Sequence, residues 1–172
     1  MANPVILNLG CGSQKFPGVI GVDRYPSSSA DVLAELTRGL PFANHSADRI
    51  VCSHLLEHVP DLVALMEEIH RVLVPGGTAW IEVPYFAHHD SFRDPTHRRF
   101  FTWESFDYFV RGKKPAEYTP VCFDYRSRKL VFSAGLWGLV GKLLFTLSPR
   151  RYEKYHARSF PARAIQLELV TL

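Results

Sequence analysis

The sequence predicts an α/β domain built on a mostly parallel sheet, and three stretches carry that prediction. "VILNLGCG" (5–12) is an apolar run closed by Gly-Cys-Gly, and "VIGVD" (19–23) is a second run closed by an acid. Farther on, "DRIVCS" (48–53), "DLVALMEEIHRVLVPGG" (61–77) and "TAWIEVP" (78–84) read as strand, helix and strand. In that order they form a right-handed βαβ unit with parallel strands. At 172 residues, 47% hydrophobic and 22% charged, the chain has the size and composition of one globular domain.

Each further element has its own signal. The first two strands are rich in β-branched residues, and "DVLAEL" (31–36) is a weaker third. In the helix, Leu62, Leu65, Met66, Ile69, Val72 and Leu73 recur at spacings of three and four; Asp61 caps its start and Pro75-Gly76-Gly77 ends it. "TWESFDYFV" predicts a short helix capped by Thr102, "PVCFDYRSRKLVFS" a bulged strand, "GLWGLVGKLLFTL" an apolar helix and "RAIQLELVTL" a final strand.

The opening is short. Between the first two strands "CGSQKFPG" leaves no room for the helix that a parallel crossover ordinarily contains. Eight extended residues reach about 26 Å at 3.3 Å each, enough to return along a short strand. The following crossover, "RYPSSSA", is shorter still.

Four stretches in register resemble the class I S-adenosylmethionine (SAM) methyltransferases, in particular the small type-11 domains. They are "LNLGCG", "GVD", "LPFANHSADRIVCSHLLEHV" and "EIHRVLVPGGTAWIEVP", spanning residues 5 to 84. The resemblance implies a Rossmann-like, mostly parallel seven-stranded sheet with an antiparallel last strand and the helices between the first strands missing or reduced. It also implies one domain over 1–172, with a SAM-binding core (5–84) and a remainder (85–172) holding the acceptor lid, the last strands and an apolar helix.

The residues themselves agree. A dinucleotide needs a third glycine and a helix N-terminus for its pyrophosphate, whereas Gly12 is followed by Ser13-Gln14-Lys15. SAM has no phosphate, so the nicotinamide oxidoreductase reading is disfavoured. By the resemblance Gly10, Cys11 and Gly12 approach the methionine end of SAM and Asp23 bonds the ribose hydroxyls. Arg24, Glu35 and Leu36 lie toward the adenine, and Ser53 and His54 close the fourth strand beside the cofactor. Asn8 stands where the family usually has an acid; it accepts a hydrogen bond without supplying charge.

Methyl transfer to a hydroxyl needs a base, and histidine titrates near neutral pH. His54 and His58 follow the fourth strand; His88, His89 and His97 lie in "YFAHHDSFRDPTHRRFF", where the fold builds its acceptor lid. His97 and His89 are the expected bases and Asp94 the residue that orients His97 or the acceptor. His88, His89, Asp90, Asp94 and His97 also offer metal ligands, but their spacing matches no zinc signature, and the expected reaction uses no metal.

The expected function is therefore SAM-dependent methyl transfer to a small, sugar-linked or lipid-linked acceptor; the alternative is a SAM-binding, non-catalytic or regulatory domain. Nucleic acid is not an expected partner: "SHLLEH" replaces the Asn/Asp-Pro-Pro-aromatic turn with which DNA amino-methyltransferases grip a base. Three scattered cysteines and the absence of a signal peptide at the start predict a reduced, cytoplasmic protein.

Charge divides the chain. Through Val110 there are 8 Lys/Arg against 13 Asp/Glu, and from Arg111 onward 12 against 4. The tail is thus basic around the apolar run 130–147, which holds one charge, Lys142. That run reads as a buried helix covering the sheet face left bare by the missing helices, with Trp137, Gly141 and Phe145 on its outer side meeting a second subunit. Peripheral contact with an anionic membrane is the alternative.

Overall fold

The computed structural model describes residues 3–113 and 119–172. Seven strands, β1 (Ile6–Leu9), β2 (Val19–Asp23), β3 (Val32–Leu33), β4 (Ala47–Ser53), β5 (Leu73–Pro84), β6 (Phe123–Phe132) and β7 (Ala162–Thr171), form one sheet in the order β3-β2-β1-β4-β5-β7-β6. Strands β1 to β5 pair in parallel, and β7 runs antiparallel to both β5 and β6. The expected seven-stranded Rossmann-like sheet with an antiparallel last strand is the one observed.

Helix α1 (Leu62–Val72) forms as its periodicity predicts. Asp61 Oδ1 accepts from the Ala64 N–H at 3.0 Å, and Leu65, Met66, Ile69 and Val72 are buried. Its end differs from expectation. Pro75-Gly76-Gly77 is not a free turn but part of β5: Leu73 pairs with Ala47, the register slips, and Thr78 then pairs with Arg49. A Cβ on Gly77 would stand 2.8 Å from Val74 O, so this irregular stretch needs glycine there.

No helix separates β1, β2 and β3. The two short crossovers are tied to each other instead. The Ser29 N–H donates to Gly12 O (2.7 Å), Ser29 Oγ donates to Ser13 O (3.1 Å), and Lys15 pairs with Asp31. Asp31 Oδ2 also accepts from the Gly21 N–H at 2.9 Å, which fixes the second crossover on β2. Strand β3 has only two residues, because Glu35 accepts from Thr37 N and Oγ1 and turns the chain into a 3-10 helix at Leu36–Arg38.

After β5 comes the segment expected to form the lid, and called the lid below, with a short helix α2 (Asp90–Arg93) and a 3-10 turn at Ser105–Phe109. Thr102 does not cap that turn as expected; its backbone N–H donates to Ser105 Oγ at 2.8 Å. Arg128 of β6 pins the lid, bonding Asp107 at 2.8 Å with its guanidinium 3.8 Å from the Trp103 ring centroid.

Helix α3 (Leu136–Leu147) departs most from expectation. It lies between the end of β6 and the start of β7, with α4 (Pro149–Arg151) after it. Phe132 and Ala162 sit level with the end of β5, where Pro84 pairs with Ala164, so α3 stands at the carboxyl end of the parallel strands. Gly138 and Gly141 face inward, and Phe145 packs on Trp103, Phe132 and Tyr152. Gly141 and Phe145 are therefore on the inner side, contrary to the sequence reading. The outer face is Leu136, Trp137, Leu139, Leu143 and Leu147, each between 60% and 73% exposed. Among the described residues no helix is long and apolar enough to cross a membrane.

Candidate active site

Strand β1 ends in a turn that only glycine makes without strain: φ is +67° at Gly10 and +54° at Gly12. The Gly10 and Cys11 N–H groups both donate to Val22 O, at 2.8 and 3.2 Å, which locks the turn onto β2. Asp23, at the end of β2 and buried, holds it from the other side. Its Oδ2 accepts from the Gly12 N–H (2.9 Å) and its Oδ1 from the Tyr25 N–H (3.0 Å). A carboxylate has about four lone-pair sites, so two remain free to accept further hydrogen bonds.

Asn8 is 6% exposed at the centre of β1, and its amide makes no hydrogen bond among the described residues. That amide is free to bond a polar group brought to the end of β1. Arg24 and Glu35 lie together past the ends of β2 and β3, 3.9 Å apart. Two expected contacts resolve differently. Cys11 Sγ lies against Gly21, where burial raises its thiol pKa, and Leu36 is a core side chain. Either can offer only backbone to a cofactor.

The loop after β4 borders the same turn, since a Cβ on Gly10 would meet Leu55 Cδ1 at 2.8 Å. Ser53 ends β4 opposite Glu82. His54 follows with φ +51° and bridges two acids: Nδ1 to Glu57 Oε1 at 3.2 Å and Nε2 to Glu82 Oε1 at 3.1 Å. The Glu57 hydrogen bond is the main cause that raises its pKa, and with a carboxylate oxygen at each ring nitrogen His54 has no nitrogen free to take a proton from a substrate.

His58 precedes α1 in a turn and does not start the helix, because Asp61 is the cap. Its Nδ1 lies 2.9 Å from Thr96 Oγ1. The Thr96 hydroxyl must donate its one proton to Asp94 Oδ1 (2.7 Å), because an ionised carboxylate only accepts. In the neutral ring His58 Nδ1 therefore carries the proton and Nε2 the lone pair. His97 repeats the pattern, with Nδ1 donating to Ser91 O at 2.9 Å and a lone pair on Nε2. The two rings meet edge to face, centroids 4.7 Å apart. Asp94 thus acts on His58 through Thr96, not on His97 directly.

His88 and His89 form a separate group. Each has one ring nitrogen 3.1 Å from an oxygen of Asp90, and His89 is largely exposed. Glu57 was not singled out from sequence. Its signal was the adjacency of an acid and a histidine in the turn after β4, which reads equally well as a helix start.

The family profile described as a methyltransferase domain matches residues 7–81. A trans-aconitate 2-methyltransferase of Methylobacterium radiotolerans is 30% identical over 111 residues, 54% of this chain and 40% of that protein. The aligned part thus spans less than half of that curated relative's length. Among solved structures, a SAM-dependent methyltransferase of Archaeoglobus fulgidus superposes with TM-score 0.68 at 18% identity, covering 98% of this chain and 86% of that one. One of Mesorhizobium loti gives TM-score 0.58 at 13% identity, covering 97% and 90%. The fold is that of the SAM-dependent methyltransferases. The resemblance to the methyltransferase-domain family is carried by residues 7–81, less than half of the chain, and the solved structures, all under 25% identical, share its fold.

Proposed function

We propose that the protein transfers a methyl group from SAM to a lipid-linked acceptor, such as a sugar carried on a lipid, at an anionic membrane surface on the cytoplasmic side. The observation that carries this reading is the apolar outer face of α3. Leu136, Leu139, Leu143 and Leu147 form one stripe, with Trp137 beside it and exposed Lys142, Arg151 and Lys154 around it. Such a face with basic neighbours suits the headgroup boundary of anionic lipid. Because α3 stands at the carboxyl end of the parallel strands and packs through Phe145 on Trp103 of the lid, a docked helix would turn the acceptor side toward the lipid.

In this reading Asn8, the 10–12 turn, Asp23, Arg24 and Glu35 hold the cofactor, and residues 85–172 complete one domain as lid and membrane face. His97 and Asp94 serve the acceptor, while His89, bonded to Asp90 on the outside of the lid, does not. Three free cysteines fit a reducing compartment.

The test combines labelling with vesicle binding. Methyl-labelled SAM is offered with a lipid extract and with a water-soluble metabolite pool, and the protein is sedimented with phosphatidylglycerol vesicles. Label in the lipid fraction, with both label and sedimentation lost in the Leu139→Glu/Leu143→Glu double variant at unchanged SAM affinity, is the expected result. Label confined to a water-soluble carboxylate, as the relative's name would suggest, would overturn it, as would a dimer closed by this face.

A further inference from the structure

The structure assigns a divalent-cation site to Glu57, His58 and His97. One ligand atom from each lies within 4.8 Å of those of the other two. The hydrogen bonds around them dispose all three to bind. Thr96 Oγ1 and Ser91 O accept from Nδ1 of the two histidines, so in the neutral ring each presents its lone pair at Nε2. Metal-binding histidines are ordinarily held in this way, the far ring nitrogen donating to a carbonyl or a carboxylate-linked group.

Glu57 supplies the independent observation. It is 1% exposed; Oε1 accepts from His54, but Oε2 is buried with no hydrogen-bond partner. A buried carboxylate oxygen left unpaired is among the costliest groups a fold can carry, and a cation beside it removes that cost. Two imidazoles and one carboxylate suit zinc, manganese or ferrous iron rather than calcium or magnesium. Donors about 2.1 Å from a common ion lie at most about 4.2 Å apart, so binding draws the three together slightly.

The neighbouring group makes a natural contrast. His88, His89 and Asp90 also lie within 4.8 Å of one another, but there the histidines already spend a nitrogen each on Asp90 itself. The site is therefore assigned to the cluster that holds a buried, unpaired carboxylate oxygen, which the Asp90 group lacks among the described residues. Three protein ligands leave at least one coordination position open, as in sites that bind water or substrate. The cluster follows Leu55, which lies against Gly10.

The full chain, stripped with chelator and freed of it, is titrated with Co²⁺ alone, without SAM, acceptor or lipid. Failure of the methyl-transfer reading therefore cannot imitate failure here. One equivalent should bind with visible ligand-field absorption and be displaced by Zn²⁺. The spectrum should vanish in Glu57→Gln and His97→Ala and persist in His89→Ala. Thr96→Val, which frees the His58 tautomer, should weaken binding about 10–100-fold. Circular dichroism and a melting curve check each fold; should Glu57→Gln not fold, His97→Ala and His58→Ala decide the matter. No Co²⁺ spectrum in the stripped native chain, or one unaltered by the ligand substitutions, overturns the assignment.

Discussion

Leu55 lies directly on Gly10: a β-carbon there would stand 2.8 Å from Leu55 Cδ1, and φ at Gly10 is +67°. The glycine is thus required both by its backbone and by the side chain pressed on it. Gly10→Ala adds left-handed strain of about 1–2 kcal/mol and displaces Leu55, so it should lower the melting temperature and weaken SAM binding. Gly12 also has positive φ, but nothing lies within 4 Å of a Cβ there. Gly12→Ala should show the strain alone. Calorimetry and melting curves separate the two, and Leu55→Ala should restore part of the loss in Gly10→Ala but none in Gly12→Ala.

Asp23 gives a second, sharper expectation. Because its two oxygens hold the Gly12 and Tyr25 N–H groups, Asp23→Ala should act on the fold itself, apart from any effect on the proposed ribose contacts. Hydrogen bonds to a charged group contribute about 1.5–3 kcal/mol each, so the unliganded protein itself should become less stable. Asp23→Asn retains one acceptor oxygen and should fall between the two. A melting temperature unchanged in unliganded Asp23→Ala would contradict this account of the turn.

What the sequence made legible follows from which interactions are local. Strands β1 and β2 and helix α1 announce themselves through short-range pattern, and Asp61, Gly10, Gly12 and Asp23 stand where those patterns put them. The inner face of α3 was not legible. Trp137, Gly141 and Phe145 look alike by hydrophobicity, and only the approach of Phe132, Phe160 and Trp103 from distant segments decides which of them turns inward. The Glu57, His58 and His97 cluster was hidden for a similar reason. Its members are 39 residues apart from His58 to His97, and only the return of the lid over the β4 loop joins them. Among the histidines, His54 was singled out for its place after β4, but its bonds to Glu57 and Glu82 depend on side chains the pattern does not reveal.

Acid stability should depend on Glu68. Its carboxylate accepts from Arg71 Nε and Nη2, both at 2.7 Å, and from the Leu40 N–H at 2.7 Å. The Arg71 bonds first, then the Leu40 bond, hold its pKa below the ordinary 4.5. With a folded value below the unfolded one, the unfolded chain binds more protons in between. The stabilisation is therefore complete above about pH 4.5 and is lost as pH falls through the folded value. In Glu68→Gln, urea unfolding should show lower stability at pH 7 and a shallower decline below pH 4.5. A variant whose decline matched the native chain throughout would show that other carboxylates carry it.

Gly138 and Gly141 of α3 set helix propensity against packing. In an exposed helix, Gly→Ala usually stabilises by about 0.5–1 kcal/mol. Here a Cβ on Gly138 would lie 1.9 Å from Ser133 O, and one on Gly141 would lie 2.7 Å from Phe160 O and 2.8 Å from Phe132 Cε1. Two of those three atoms are backbone, so the helix itself must move. Overpacking of this kind costs about 1–3 kcal/mol, which outweighs the propensity gain. At about 2–4 °C per kcal/mol for a chain of this size, either alanine variant should melt several degrees lower. Because α3 carries Phe145 against Trp103, the displacement should also be felt at the lid, as a faster reaction of Trp103 with a soluble oxidant. Gly112→Ala, a control at a positive-φ glycine outside α3 (φ +71°) with nothing within 4 Å of a Cβ, should lower the melting temperature by strain but leave Trp103 protected. A Gly138→Ala protein as stable as the native chain would mean that α3 does not seat on Ser133.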